Sequence, residues 1–268
     1  MTRLVGFFLC LAALLCTRLA FALNVDSLEP QERTQLHLIL DTLKPVIDAK
    51  KADGTAALLS WDELYAPLDA DSRAFLDTFR TLRGEALGAT SHYFGEVDLA
   101  TTHIAGVNRQ TVLKDGQPVP LDQQYLPANV AFAYRDMMRA MEKDLGTSLR
   151  VESGFRAPAY QLYLFLFYLP KHGYSIRETN RFVALPGHSE HGAPQRQAID
   201  FINEHGINGE DHPEEFEALP EYAWLQAHAA EFGFFLSYPR DNPDHTSFEP
   251  WHWHYEDRGS RTPNDTHP

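Results

Sequence analysis

One short segment, Glu249–Tyr255, constrains the fold of this 268-residue chain more than any other. Alternate side chains of an extended strand point to opposite faces, so His252 and His254 would share one face and the two tryptophans the other. Pro250 cannot donate to a strand ladder, which places Glu249 in the turn that enters the strand. The sequence therefore predicts a final strand over residues 249–255, with a carboxylate free to bend toward its histidine face.

A second apolar segment, Ala198–Ile202, is also typical of a strand and contains a carboxylate, Asp200. Burying that carboxylate is costly unless it is paired or binds a metal. The alternative is an edge strand in which Asp200 faces water. His191 lies nine positions earlier, in a loop that could curl back beside Asp200. Two imidazoles, one carboxylate and Glu249 as a nearby base are the groups of a catalytic zinc site with an open position for water.

The N-terminus has a basic start, a long apolar run and a small-x-small ending at Ala20–Ala22. These features predict a secretory signal peptide, residues 1–22, that is cleaved after Ala22. A membrane anchor is the alternative, but the apolar run is short for a bilayer span and is interrupted at Thr17–Arg18. Both cysteines lie in this segment, so the mature chain has no disulfide and no thiolate-ligated metal.

The charge of the chain bears on its partners. The formal net charge of −14 becomes −16 when Arg3 and Arg18 are removed with the signal peptide. Such a balance argues against a nucleic-acid partner, because that binding relies on Lys and Arg neutralising phosphates. We expect a protein exported across the cytoplasmic membrane, to the periplasm, with no stable membrane insertion after cleavage. The sequence makes no prediction of the oligomeric state.

The first third of the mature chain has helical periodicity. Apolar residues recur at helical spacing from Leu36 to Leu43, as far as Pro45, and two shorter helical stretches follow before Gly84. These patterns predict a helical lobe over residues 23–95.

The remainder mixes strands and helices without regular β-α alternation. Asp115–Gly116 predicts a hairpin turn, and the apolar face from Val130 to Leu145 predicts a long helix that ends at Gly146. We therefore expect an α+β domain over residues 96–258, in which helices pack on a small antiparallel sheet that carries the zinc site. Residues 259–268 are expected to form a disordered tail.

Four separated motifs resemble those of the VanY-type D-alanyl-D-alanine carboxypeptidases, zinc peptidases that share a fold with the hedgehog signalling domain. The motifs are Ser153–Arg156 followed by Gln161, then Pro186–His191, Ala198–Asp200 and Glu249–Trp253. They occur in the family's order, and the resemblance covers about residues 113–255. The helical lobe lies outside it.

This resemblance implies a role for each of seven residues. The implied zinc ligands are His191, Asp200 and His252. Glu249 would be the catalytic base, and Arg156 would stabilise the oxyanion or hold the substrate, for which a planar guanidinium is suited. Ser189 and Gln161 match positions that line the substrate pocket.

The sequence departs from the family pattern in two places. The interval between His191 and Asp200 is two residues longer than in the family motif, and Arg196 stands where that motif has glycine. The longer loop leaves His188 as a possible substitute ligand. His254 occupies a position at which the family commonly carries arginine.

The function implied by the resemblance is hydrolysis of the C-terminal D-Ala-D-Ala bond of peptidoglycan stem peptides. A zinc-activated water would attack the bond, with Glu249 as its base. One alternative is an L,D-carboxypeptidase or a cross-link endopeptidase of the cell wall. Another is a non-catalytic wall-binding module on the same fold, which would have no need of Glu249 and Arg156.

Overall fold

The computed structural model describes residues 23–83, 87, 92–242 and 247–257. The predicted signal peptide and C-terminal tail lie outside the described residues. In the part of the chain that is described, no helix is long and apolar enough to cross a membrane.

The regular elements are numbered here in chain order. The helices are α1 (Pro30–Ala52), α2 (Trp61–Tyr65), α3 (Ala70–Arg80), α4 (Ala128–Leu145), α5 (Pro158–Tyr168), α6 (Ile176–Thr179), α7 (Pro213–Glu217) and α8 (Pro220–His228). The strands are β1 (Ile104–Gly106), β2 (Thr111–Lys114), β3 (Gln117–Pro120), β4 (Tyr125–Pro127), β5 (Arg150–Ser153), β6 (Ala198–Ile202), β7 (Phe234–Leu236) and β8 (His252–Tyr255). Short 3-10 helices include Ala56–Leu58 and Glu190–Gly192.

A four-stranded antiparallel sheet in the order β5-β6-β8-β7 forms the centre of the fold. The predicted α+β class with an antiparallel sheet is confirmed. Because β6 is flanked by β5 and β8, the alternative of an edge strand for Asp200 is wrong. The register places Asp200 opposite Ser153 on one side and opposite His252 on the other.

The two faces of the sheet differ as the alternation of β6 and β8 requires. Ile199, Phe201 and Trp253 are buried in a core that also contains side chains of α4 and α8. Asp200 and His252 point to the opposite face. Burial of the aromatic face therefore fixes which side chains are turned toward the candidate site.

The long helix and the hairpin form as the sequence predicts. Gly146 ends α4 with a φ of 72°, a left-handed conformation that glycine adopts without steric cost. Asp115 and Gly116, both with positive φ, connect β2 to β3. The last strand begins at His252 and not at Glu249 as predicted. The preceding residues form a turn, in which the N–H of His252 donates to the carbonyl oxygen of Glu249.

The N-terminal part is helical, and its first helix runs further than the sequence predicts. Helix α1 continues past Pro45 to Ala52, with Ile47 extending its buried stripe. The core of the lobe includes α5, from the region with family motifs: Leu162 and Phe165 pack among the buried side chains of α1 and α3. Tertiary packing on α5 thus supports a helix that the proline would otherwise weaken.

Candidate metal centre and active site

Three of the predicted site residues lie together at the centre of the sheet. His191, Asp200 and His252 each offer a ligand atom, and these atoms all lie within 4.8 Å of one another. Asp200 and His252 face each other across β6 and β8, and His191 comes from the 3-10 helix beside them. The side chains of both histidines are less than one-tenth exposed.

The orientation of His191 is fixed by the backbone. Its Nδ1 lies 2.8 Å from the carbonyl oxygen of Gly154, and because a carbonyl can only accept, Nδ1 carries the proton. Nε2 then faces the Oδ2 atom of Asp200 at 3.1 Å. Burial lowers the pKa of His191, and the nearby Arg156 lowers it further, so the neutral imidazole is favoured. A lone pair on Nε2 and a carboxylate oxygen thus face one another.

His252 lies between two carboxylates. Its Nδ1 is 2.7 Å from Oδ1 of Asp200, and its Nε2 is 2.9 Å from Oε2 of Glu190. Burial lowers the pKa of His252, but Asp200 and Glu190 outweigh it and raise this pKa to about 10. The pKa of Asp200 is lowered: burial raises it, and the two histidines more than compensate. The space between these groups is therefore strongly favourable for a cation.

The chemistry of this donor set fits zinc. Two imidazole nitrogens and one carboxylate are the ligands of many catalytic zinc sites, which keep a fourth position open. The second nitrogen of each imidazole has a fixed acceptor, Gly154 for His191 and Glu190 for His252, as is usual for metal-binding histidines. His188 lies outside the cluster; its Nδ1 is instead 3.1 Å from the carbonyl oxygen of His92.

Glu249 lies in the turn before β8, where the sequence predicts it. Its Oε2 atom is 3.9 Å from Nδ1 of His252, too far for a hydrogen bond. Burial raises the pKa of Glu249 to about 7, in spite of the lowering effect of His252. A carboxylate with such a pKa can both accept and release a proton near neutral pH.

A backbone hydrogen bond holds Arg156 beside the cluster. Its N–H donates to the carbonyl oxygen of His191 at 2.8 Å. The close approach requires a glycine at position 192, because a Cβ there would lie 2.7 Å from the carbonyl oxygen of Arg156. Burial lowers the pKa of this guanidinium, and the charge of Asp200 opposes that effect. Among the described residues, its buried Nε has no hydrogen-bond partner.

Ser189 and Gln161, the two predicted pocket residues, are both buried. The Ser189 hydroxyl accepts a 3.3 Å hydrogen bond from the backbone N–H of His191. The amide nitrogen of Gln161 donates to the carbonyl oxygen of Ala184 at 2.7 Å. Its buried amide oxygen finds no donor in the described part of the chain, which leaves one acceptor for a ligand.

A cavity of about 190 Å³ adjoins Arg156. Ser153 and Tyr160 line it from the domain that carries the motifs, and Lys51 and Gly54 line it from the end of α1. The helical lobe therefore forms part of the wall beside the candidate site.

Glu190 is a site residue that sequence reasoning missed. Its side chain is 2% exposed and accepts the hydrogen bond from Nε2 of His252. The only sequence signal was its position between Ser189 and His191. A glutamate in a loop gives no indication of burial before the packing is known.

The fold and the cluster together define an α+β protein in which two histidines and an aspartate that could hold a metal ion lie at the centre of an antiparallel sheet. A family model for the VanY D-alanyl-D-alanine carboxypeptidases matches residues 123–258. The chain therefore belongs to the VanY carboxypeptidase family.

Two curated relatives are each 31% identical to this chain. One is a putative carboxypeptidase, YodJ, of Bacillus subtilis, matched over 137 residues that make up 50% of this chain and 48% of YodJ. The other is VanXYC of Enterococcus gallinarum, a bifunctional D-Ala-D-Ala dipeptidase and carboxypeptidase, matched over 143 residues, 49% of this chain and 67% of VanXYC. The chain thus spans about half the length of YodJ.

Several solved structures are also similar. The LdcB LD-carboxypeptidase is 25% identical with a TM-score of 0.43, over 56% of this chain and 67% of LdcB. VanYB, solved with D-alanine-D-alanine, is 22% identical with a TM-score of 0.40, over 62% of this chain and 87% of VanYB.

Proposed function

We propose that this protein is a zinc-dependent D,D-carboxypeptidase that hydrolyses the C-terminal D-Ala-D-Ala bond of peptidoglycan stem peptides. The observation that carries the proposal is the convergence of His191, Asp200 and His252, with Glu249 and Arg156 placed around them. Membership of the VanY family supports the reaction class.

In this proposal the three clustered residues hold the zinc ion. When bound, zinc would supply a Lewis acid that polarises the scissile carbonyl and makes water a better nucleophile at neutral pH. Glu249 accepts the proton of the attacking water and passes it to the leaving amine, a role that its pKa of about 7 suits. Arg156 opposes the negative charge that develops on the carbonyl oxygen, and its unpartnered Nε is a donor for it.

The presence of Glu249 and Arg156 also distinguishes this proposal from a non-catalytic wall-binding module. A buried carboxylate beside a metal cluster, with a pKa raised to about 7, is typical of a catalytic base and is not needed for binding alone. We further propose that the enzyme acts outside the cytoplasmic membrane, in the periplasm, where its substrate is exposed.

The bond specificity is tested by incubating purified mature protein and zinc with three muropeptides and measuring product masses. The substrates are a pentapeptide stem that ends in D-Ala-D-Ala, a tetrapeptide stem that ends in one D-Ala, and a cross-linked dimer. We expect loss of one alanine from the pentapeptide and no change in the other two. Shortening of the tetrapeptide would show an L,D-carboxypeptidase instead, and cleavage of the dimer would show an endopeptidase.

A further inference from the structure

The longer loop between His191 and Asp200 places a cation behind the metal cluster. Arg196, on this loop, bridges two carboxylates: its Nε donates to Glu190 at 2.5 Å and its Nη1 to Glu256 at 2.8 Å. The Arg196 side chain is one-third exposed, whereas that of Glu190 is 2% exposed. The ion pair therefore joins a solvent-accessible guanidinium to a buried carboxylate.

Glu190 receives several donors at once. One oxygen, Oε1, accepts from Arg196, and the other, Oε2, lies 2.9 Å from Nε2 of His252 and accepts from the Ser237 hydroxyl at 2.5 Å. A carboxylate buried to this extent is stable as an anion only when a positive charge and hydrogen bonds compensate its lost hydration. Arg196 supplies a positive charge from outside the metal cluster.

His254 belongs to the same hydrogen-bond network as Arg196. His254, which stands where the family commonly carries arginine, places Nδ1 2.8 Å from the Ser237 hydroxyl and Nε2 3.2 Å from Oε1 of Glu256. Arg196 and His254 thus share Glu256 as a partner. Arg196 and His254 therefore belong to one network, which reaches His252 through Glu190.

We propose that the Glu190–Arg196 ion pair positions His252 for metal binding. Glu190 holds the imidazole by its Nε2, so that Nδ1 faces Asp200 and the metal position. Arg196 holds the Glu190 carboxylate in place through its Nε. Neither residue belongs to the ligand cluster, and both act through His252.

The proposal predicts a loss of metal affinity when the network is cut. The variants are Glu190→Gln and Arg196→Ala, because the first keeps the shape of the side chain but removes its charge and the second removes the cation. We expect zinc affinity, measured by competition with a chromophoric chelator, to fall by about 10- to 100-fold in each, the usual effect of losing an outer-shell partner. The visible spectrum of the Co²⁺-substituted protein should also change, because the orientation of the His252 ligand changes.

Two further variants separate positioning from a general loss of structure. Arg196→Lys keeps a charge near Glu190 and should recover part of the zinc affinity. Arg240→Ala, which removes an exposed guanidinium paired with Glu217, should leave zinc affinity and the cobalt spectrum unchanged. Thermal unfolding of each zinc-free variant measures the structural cost separately.

A double-mutant cycle tests the coupling directly. Once Glu190 is a neutral glutamine, it no longer needs the cation, so Arg196→Ala added to Glu190→Gln should weaken zinc binding by less than about threefold more. Additive losses, or an Arg196→Ala variant with wild-type zinc affinity and cobalt spectrum, would overturn the proposal. Although the catalytic importance of this network rests on the proposed function, both readouts are independent of turnover. A protein that binds zinc as expected but hydrolyses nothing would therefore contradict only the proposed function.

Discussion

Replacing Glu249 by Gln should lower kcat by about 10²- to 10⁴-fold while the protein still binds one equivalent of zinc. Glutamine has nearly the shape of glutamate but cannot accept the proton of the attacking water. Since Glu249 is 3.9 Å from Nδ1 of His252 and outside the ligand cluster, the metal should remain bound. Alanine release and zinc content, measured on the same preparation, check both parts of this prediction.

The matched control is Glu142→Gln, which neutralises an exposed carboxylate on the surface of α4. Its kcat should equal that of the wild type. If Glu249→Gln retains more than about one-tenth of the wild-type kcat with zinc bound, another group is the base.

Replacing Arg156 by Lys should lower kcat/KM by about 10²- to 10³-fold, the typical effect of losing one donor to a developing oxyanion. Lysine keeps the positive charge but loses the planar guanidinium and the Nε that is left unpartnered among the described side chains. The backbone hydrogen bond from residue 156 to His191 is unaffected by the change, so zinc affinity should be retained.

Steady-state kinetics on a pentapeptide substrate, with zinc affinity measured in parallel, test this expectation. Arg139→Lys is the control, because Arg139 is exposed and its ion pair with Asp136 lies on the surface of α4. A kcat/KM within threefold of the wild type for Arg156→Lys would show that the guanidinium does not face the reacting carbonyl.

The local patterns that predicted the sheet have a direct physical basis. Alternation of polar and aromatic residues in β8 sets the two faces of that strand, and burial of Trp253 in the core turns His252 to the other face. That is why the pattern could place His252 and Trp253 on opposite faces, whereas the pairing that brings Asp200 beside His252 came only from the fold. The roles of the individual residues came from the resemblance to the VanY family and stay predictions.

Local sequence patterns could not predict contacts between segments that are distant in sequence. Periodicity ended α1 at Pro45, whereas packing against α5 carries the helix to Ala52. The predicted boundary of the helical lobe at residue 95 likewise followed a change in the residue pattern. The hydrophobic core instead contains side chains of both the lobe and α5. Glu190 and Arg196 became visible as a pair only after the loop was folded against β8, since nothing in six residues of spacing indicates a buried ion pair.

The most direct test of the central claim is release of D-alanine from a pentapeptide-bearing muropeptide by the mature protein, before chelation, after chelation and after zinc is added back. We expect release that stops when the chelator removes the metal and returns with one equivalent of zinc. A protein that binds zinc in equimolar amount and releases no D-alanine under any of these conditions would contradict the assignment as a zinc D,D-carboxypeptidase.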